Sequence, residues 1–382
     1  MAPTDISAGE GIVRTVDELL ARAIARRASD IHVEPSESGV LIRYRLDGLL
    51  QDVDRLPAHL ADNVIARLKV LSGLLTYRKD IPQEGAFRAG NGSRETTPGI
   101  DVRVATFPTV CGERAALRLM YAVGQVSGLD DLGLPPTVLG RLRRAAEQPQ
   151  GMILVTGPAG SGKSTTLYAL ARYIRTVTPG RSVITLEDPV EQRLPGVAQI
   201  QVQPHGELDY VRAMRSLLRQ DVQVLLVGEI RDAETAHIVV EAALTGHLIV
   251  STLHSGDPAE AVVRLLEMGI APYQVAGALT LVCTQRLLRT LCPTCRGQGT
   301  CDVCLGGGYL GRTACGQVAE MDDHLRQAVL DRRPVGELRQ WIKASGPDLA
   351  ADARRLVADG RTTLDEVRRV LGTLDTDQRE DG

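Results

Sequence analysis

Met152-Ile-Leu-Val-Thr156 runs directly into Gly157-Pro-Ala-Gly-Ser-Gly162-Lys163-Ser164, and Thr165 to Ile174 follows with helical spacing. An apolar strand, a G-x-x-x-x-G-K-S turn and a helix, in that order, form a phosphate-binding loop in the context that gives the motif meaning. The glycines let backbone N–H groups turn inward around phosphate oxygens at the positive end of a helix. Lys163 places its ammonium near β- and γ-phosphates, and the Ser164 hydroxyl can join a Mg²⁺ shell. Gly157, Pro158, Ala159, Gly160, Ser161, Gly162, Lys163, Ser164 and Thr165 are therefore the nucleotide-binding candidates. Lysine occurs only at Lys69, Lys79, Lys163 and Lys343, the other forty basic residues being arginines, which argues against a stray lysine in a glycine-rich turn.

Working outward, Val183–Leu186, Val224–Val227 and Leu248–Ser251 are short apolar runs without alternation, as in strands buried on both faces. Helical stretches separate them, so the expected fold is α/β, a mostly parallel sheet with helices on both sides. Residues 1–121 read differently, as a small α+β domain. Val13 to Ala28 carries Val16, Leu19, Leu20, Ala23 and Ile24 on one helical face. Strands are expected at Ile31–Val33, Val40–Leu46, Ala86–Ala89, Ile100–Thr106 and Cys111–Tyr121, with a second helix from Pro57 to Leu71 and a turn at Asn91-Gly92. Residues 122–136, rich in glycine and proline, read as a linker. The nucleotide-binding core is expected over 137–290, a four-cysteine element over 291–316 and an all-helical region over 317–382, with a polar, frayed end from Asp375.

Hydrolysis requires a metal on the phosphates and a group that orients water, both at the carboxyl ends of the sheet. Glu187, Asp188 and Glu191 follow one apolar run, Glu229 follows another, and His247 and His254 bracket a third. Singly, each acid reads as a helix cap or loop residue, and each histidine as structural. Their joint placement after a phosphate loop favours a site.

At these residues the chain resembles the secretion and pilus-assembly ATPases of the GspE/PilB type, within the type II secretion and type IV pilus superfamily. Ile184-Thr-Leu-Glu-Asp-Pro-Val-Glu191 is similar to that family's Asp box, Leu225-Leu-Val-Gly-Glu-Ile-Arg-Asp232 to its Walker B segment, and Thr245-Gly-His-Leu-Ile-Val-Ser-Thr-Leu-His-Ser255 to its His box. Ala28-Ser-Asp-Ile-His-Val-Glu-Pro35, Arg43-Tyr-Arg-Leu-Asp-Gly48, Ile81-Pro-Gln-Glu-Gly85 and Gly112-Glu-Arg114 extend the resemblance through the amino-terminal domain. The chain departs from the family pattern in two loops, with Asp221-Val-Gln223 before the Walker B strand and Pro82-Gln-Glu-Gly-Ala86.

The resemblance implies a RecA-like ATPase core preceded by a PAS-like domain, working as a cytoplasmic hexamer. It implies ATP hydrolysis that drives a pilin-like filament through an inner-membrane platform protein, peripheral to the inner face of the inner membrane. By it, Glu187 aligns water, Glu229 holds Mg²⁺ through a water, and His254 senses the γ-phosphate with His247 nearby. Arg103, Arg114 and Arg118 match arginines that reach a neighbouring subunit's nucleotide, or else simply coat a surface. The family's longer members carry a further amino-terminal domain that docks on a membrane partner. That attachment is expected here to be absent or supplied by another protein.

Cys292-Pro-Thr-Cys295 and Cys301-Asp-Val-Cys304 are two C-x-x-C knuckles, each followed by spaced glycines. The spacing lets each pair bind one cation, and four thiolates point to structural Zn²⁺ with no open position. Redox chemistry or idle thiols are the alternatives. Cys111, Cys283 and Cys315 read as bystanders.

A nucleic-acid translocase is the alternative of another class, and composition counts against it. Aromatics are 3% and the net charge is −3, so a nucleic-acid translocase lacks both its stacking platforms and its basic excess, and no nucleic acid is expected. A small-molecule kinase would share the phosphate loop but needs a lid and acceptor pocket that nothing signals. No apolar run is long enough to span a membrane, and no signal segment opens the chain, which places it in the cytoplasm. Within the family, type II secretion is expected, with pilus extension or DNA uptake as alternatives.

Overall fold

The computed structural model describes residues 8–90, 99–121, 128–203, 208–299, 301–304 and 306–372. The chain divides into two compact units, Met1–Gly124 and Gln125–Gly382.

The first unit contains α1 (Ala8–Ala25), β1 (Asp30–Ser36), β2 (Gly39–Leu46), β3 (Leu49–Leu56), α2 (Ala61–Leu71), β4 (Gln83–Ala89), β5 (Ile100–Thr109) and β6 (Gly112–Met120). Its sheet has the order β3-β2-β1-β6-β5-β4 with antiparallel neighbours. Strand alternation sends Ile31, Val33, Ile42, Val104 and Leu117 to one face, against Val16, Leu19 and Ala23 of α1 and Val64 and Leu68 of α2. β3 was not expected from the sequence, because Leu49-Leu-Gln-Asp-Val-Asp-Arg-Leu56 breaks the apolar alternation. The Asn91-Gly92 turn lies outside the described residues.

The second unit contains α3 (Pro136–Ala146), β7 (Gly151–Thr156), α4 (Lys163–Val177), β8 (Val183–Glu187), β9 (Ala198–Gln201), α5 (Tyr210–Leu217), β10 (Val224–Val227), α6 (Ala233–Leu244), β11 (Leu248–Leu253), α7 (Pro258–Glu267) and α8 (Pro272–Ala278). Then follow β12 (Leu279–Leu291), β13 (Tyr309–Glu320), α9 (Asp323–Leu330), α10 (Val335–Ala344), α11 (Leu349–Ala358) and α12 (Leu364–Leu371). The sheet order is β13-β12-β7-β11-β10-β8-β9, parallel except for β13. β7, β10 and β11 are buried at every residue, the Ser251 and Thr252 hydroxyls of β11 donating to the Val227 and Gly228 carbonyls.

Three differences from the sequence reading have local causes. Residues 122–127 of the expected linker lie outside the described residues. The rest is packed, because Leu129, Leu132 and Leu134 are buried around a short 3₁₀ turn. β12 and β13 form a long antiparallel hairpin on either side of the cysteines, and β13 runs to Glu320 before the helices begin. The expected frayed end from Asp375 is outside the described residues.

Candidate functional site

β7 delivers the phosphate loop to the carboxyl edge of the sheet, and α4 starts at Lys163 with no side-chain cap on its first turn. Those uncapped N–H groups face an anion site by the ordinary logic of helix ends. Gly157 is irreplaceable: at φ +146°, a Cβ there would lie 2.5 Å from Ser161 Oγ and 2.6 Å from the Gln285 carbonyl oxygen. Gly162, at φ +88°, leaves room for the Gln285 side chain. Lys163 folds back across the loop, donating to the carbonyls of Gly157 and Pro158 at 2.9 Å each. Burial lowers its pKa below the ordinary lysine value, and the Glu229 charge opposes that. Ser161 Oγ is buried and has no hydrogen-bond partner among the described residues. An orphaned hydroxyl in a cradle too tight for a Cβ fits a phosphate oxygen.

Gln285 is a site residue that sequence reading missed. From β12 it donates to the Ser161 carbonyl at 2.7 Å and accepts from the Thr166 hydroxyl at 2.8 Å. Beside it Thr156 and Thr284 join β7 to β12 through their hydroxyls at 2.6 Å. The signal available in the sequence was the polar pair Thr284-Gln285 directly after the apolar Leu281-Val-Cys283.

The acids separate into distinct roles. Glu187, expected to align water, is buried, and three side chains donate to it. One oxygen accepts from the Tyr168 hydroxyl, and the other from the Thr185 hydroxyl and from Gln199 Nε2 at 3.1 Å. Three donors occupy three of the roughly four acceptor positions of a carboxylate. Glu191, four residues on, is exposed, and its backbone N–H donates to the Tyr168 hydroxyl of the phosphate-loop helix at 3.1 Å. Desolvation raises its carboxyl pKa, and the nearby Ser164 hydroxyl opposes the rise.

Glu229 follows β10 and is contacted by Arg231, whose guanidinium also lies 3.2 Å from Asp188. His254 follows β11 and sits on the same edge, Nε2 3.4 Å from Glu229 Oε2. His247 does not belong to this group. It precedes β11, its Nδ1 is 3.1 Å from the Ala242 carbonyl, and its own carbonyl accepts from Gly151 at the start of β7. A parallel strand of six residues, about 20 Å at 3.3 Å per residue, separates it from the phosphate edge.

In the first unit, Arg103 of β5 stands directly opposite Arg118 of β6 on the sheet face away from the core. Arg118 donates to Asp30 at 3.1 Å, and Arg114 to Glu34 at 3.2 Å with His32 beside it at 3.3 Å. Like charges placed opposite each other are unfavourable alone, and here Asp30 offsets the pair through Arg118.

The β12–β13 hairpin carries the cysteines past the phosphate edge. The four sulfurs of Cys292, Cys295, Cys301 and Cys304 lie within 4.8 Å of one another, three pairs being 3.4 to 3.6 Å apart. A tetrahedral ion with Zn–S of about 2.3 Å needs a sulfur spacing of about 3.8 Å. Gly308 N–H donates to Cys304 Sγ at 3.3 Å. Burial pushes the Cys295 thiol up, but the Gly299 and Gly297 N–H groups and neighbouring thiols outweigh it and hold it down at about 6. Four sulfurs converging at this spacing fit a soft tetrahedral ion.

A phosphate loop between β7 and α4, with acids and a histidine on the adjoining strand ends, defines a P-loop ATPase. The chain matches the family described as Type II/IV secretion system protein over residues 7–369 and belongs to it. It is 40% identical over 374 residues to the type II secretion system protein HxcR of Pseudomonas aeruginosa, covering 96% of this chain and 78% of that one. It is 38% identical over 384 residues to the type II secretion system ATPase E of Vibrio cholerae (94% and 75%). With the type IV pilus assembly ATPase PilB of Thermus thermophilus, identity is 38% over 380 residues, 92% of this chain and 42% of that one. Among solved structures, the fold matches the Legionella pneumophila ATPase DotB with a TM-score of 0.70 at 22% identity, over 97% of both chains. It matches the pilus retraction motor PilT with bound ADP at 0.63 and 24%, over 96% and 99%. No described helix is long and apolar enough to cross a membrane.

Proposed function

We propose that the chain is the ATPase motor of a type II secretion system. It works as a hexamer at the inner face of the inner membrane, where it drives assembly of a pilin-like filament through a platform protein. Family membership and the relatives' names support this reading. At the site, the observation that carries it is the placement of Glu229 and His254, 3.4 Å apart on adjoining strand ends, beside the phosphate loop whose helix starts at Lys163.

The residues divide the work as follows. Lys163, the free N–H groups of α4 and the Ser161 hydroxyl receive phosphate oxygens. Ser164 and Glu229 are hard oxygen donors and would hold Mg²⁺, which neutralises charge on the phosphates. Glu191 orients the attacking water, in place of Glu187, and His254 meets the γ-phosphate from the next strand end. Arg103, Arg114 and Arg118 supply cations to the nucleotide of a neighbouring chain, so turnover depends on assembly. The four cysteines would hold Zn²⁺ as a structural ion with no part in the chemistry.

Phosphate release by the purified chain tests the site. Lys163→Ala and Glu191→Gln each lower turnover at least 100-fold, whereas Glu187→Gln keeps a measurable rate. Near-normal turnover in Glu191→Gln overturns the assignment. Specific activity that stays constant on dilution to monomers overturns the shared site. A second reading, extension of a type IV or DNA-uptake pilus, draws support from the similarity to PilB. Deleting the gene and scoring exoprotein secretion against piliation decides between them.

A further inference from the structure

Tyr168 lies one helical turn after Ser164, on the same face of α4. Its ring is buried, and its hydroxyl is used to capacity. It donates to Glu187 and accepts the backbone N–H groups of Glu191 at 3.1 Å and Gln192 at 3.3 Å. One phenol oxygen has one hydrogen to give and two lone pairs to receive with, and all three are engaged. The phosphate-loop helix therefore holds the backbone of Glu191 through Tyr168, one turn beyond Ser164.

Glu187 explains why the phenol faces this way. Its second oxygen is fixed by Thr185 and Gln199, and Gln199 also donates to the Gln192 carbonyl at 2.8 Å. With Glu187 taking the phenol hydrogen, the lone pairs are left to the turn that carries Glu191.

We propose that Tyr168 is the positioning residue for Glu191, and that Glu187 acts only through Tyr168 by orienting its hydroxyl. This rests on the reading of Glu191 as the residue that orients water. The same contact makes α4, which grips the phosphates, the element that sets the water-orienting carboxylate. Nucleotide binding and alignment for hydrolysis are thus mechanically one event. Without the phenol oxygen, two N–H groups lose their acceptor and the turn is free to shift, and a displacement near 1 Å costs about 100-fold in rate.

The experiment compares Tyr168→Phe, Glu187→Gln, their double variant and Glu191→Gln in the full chain. It reads kcat, KM for ATP and the affinity for a fluorescent ATP analogue. Tyr168→Phe is expected to lower kcat 10- to 100-fold with KM and analogue affinity within 2-fold. Glu187→Gln retains a carbonyl acceptor for the phenol and loses less, and the double variant is no slower than Tyr168→Phe, because both act through one contact. Amide exchange accelerates in the peptide spanning 188–194 of Tyr168→Phe and stays unchanged in β10. A kcat within 2-fold of the parent, a loss confined to KM, or additive effects in the double variant overturns the proposal. Normal turnover in Glu191→Gln instead overturns the underlying reading. Should Tyr168→Phe fail to fold, Thr185→Val, which removes one donor to Glu187, must give the same kcat-only loss at smaller size, and an unchanged kcat there overturns the proposal.

Discussion

Gln285 Nε2 hydrogen-bonds the carbonyl oxygen of Ser161 at 2.7 Å, so the strand that leads to the cysteine cluster also braces the phosphate loop. The glutamine is buried, and its amide oxygen accepts the Thr166 hydroxyl at 2.8 Å. Both ends of the amide are thereby tied to the segment that grips phosphate.

Replacing Gln285 with Leu leaves the Ser161 carbonyl and the Thr166 hydroxyl without these partners in a closed space. Each buried group left unpaired costs about 1–3 kcal/mol. The loop itself is expected to absorb the loss. Affinity for a fluorescent ADP analogue falls at least 10-fold, measured by titration, while the melting temperature drops only a few degrees. Unchanged ADP affinity would show that the loop keeps its shape without the amide.

Arg339 of α10 joins the carboxyl-terminal helices to the loop that follows His254. It donates to Asp257 and Glu260, both at 2.6 Å, and Glu260 in turn accepts the Gly256 N–H at 2.7 Å. Asp257 also caps α7 through the Glu260 N–H at 2.9 Å. The guanidinium is partly exposed, so the ion pairs themselves contribute about 0–1 kcal/mol each. The consequence is positional. Arg339→Ala is expected to lower kcat severalfold through the His254 loop while the urea midpoint stays nearly unchanged. A full loss of structure, or wild-type kcat, would contradict it.

What the sequence made legible was whatever local physics writes into neighbouring residues. The phosphate loop, the apolar runs of β7, β10 and β11 and the paired cysteines all carry their signal within a dozen positions. Glu187 and Glu191 could not be told apart that way, since both follow the same strand. Only the folded contacts distinguish them, since the Glu187 carboxylate takes the Tyr168 hydrogen while Glu191 gives Tyr168 its backbone N–H. His247 was misplaced for a related reason: a histidine at each end of β11 looks symmetrical in sequence, yet only the carboxyl end meets the loop. β12 and β13 escaped notice because polar residues such as Gln285, Arg286 and Gln317 interrupt them, and long-range pairing buries Gln285 and Gln317.

Removing the metal from the cysteine cluster should be a local event with a measurable signature. The purified chain is expected to carry about one zinc by elemental analysis, and Cys295→Ser or Cys301→Ser to carry almost none. The backbone bonds within the two knuckles are short-range turns, and Cys292 N–H to the Gly308 carbonyl at 2.9 Å clasps the two arms. Amide exchange should therefore accelerate across 291–309 on metal loss, while β7 keeps its protection. Full metal content in either variant would remove the cluster as the binding site.

Glu366 gives the carboxyl-terminal helices a pH-dependent tie. Its side chain is 1% exposed and receives Arg289 Nε at 2.9 Å, Arg289 Nη2 at 2.7 Å and Arg369 from its own helix at 2.6 and 2.7 Å. Arg289 stacks on the Tyr309 ring at 4.0 Å, which fixes it to β13 as well. Burial alone would push the Glu366 carboxyl up, but the hydrogen bonds from Arg369 and Arg289 outweigh it and hold it down at about 2, against an ordinary value of 4.5. A depressed folded value means the contribution is complete above about pH 4.5 and is lost as the pH falls toward 2. Glu366→Gln should destabilise the chain by about 3 kcal/mol at pH 7, since it leaves two guanidiniums without their counter-charge. The gap between parent and variant, followed by denaturant titration, should hold from pH 7 to 5 and narrow below 4.5. A gap that instead widened with acid would mean that the carboxylate is not the group that ties α12 to β12.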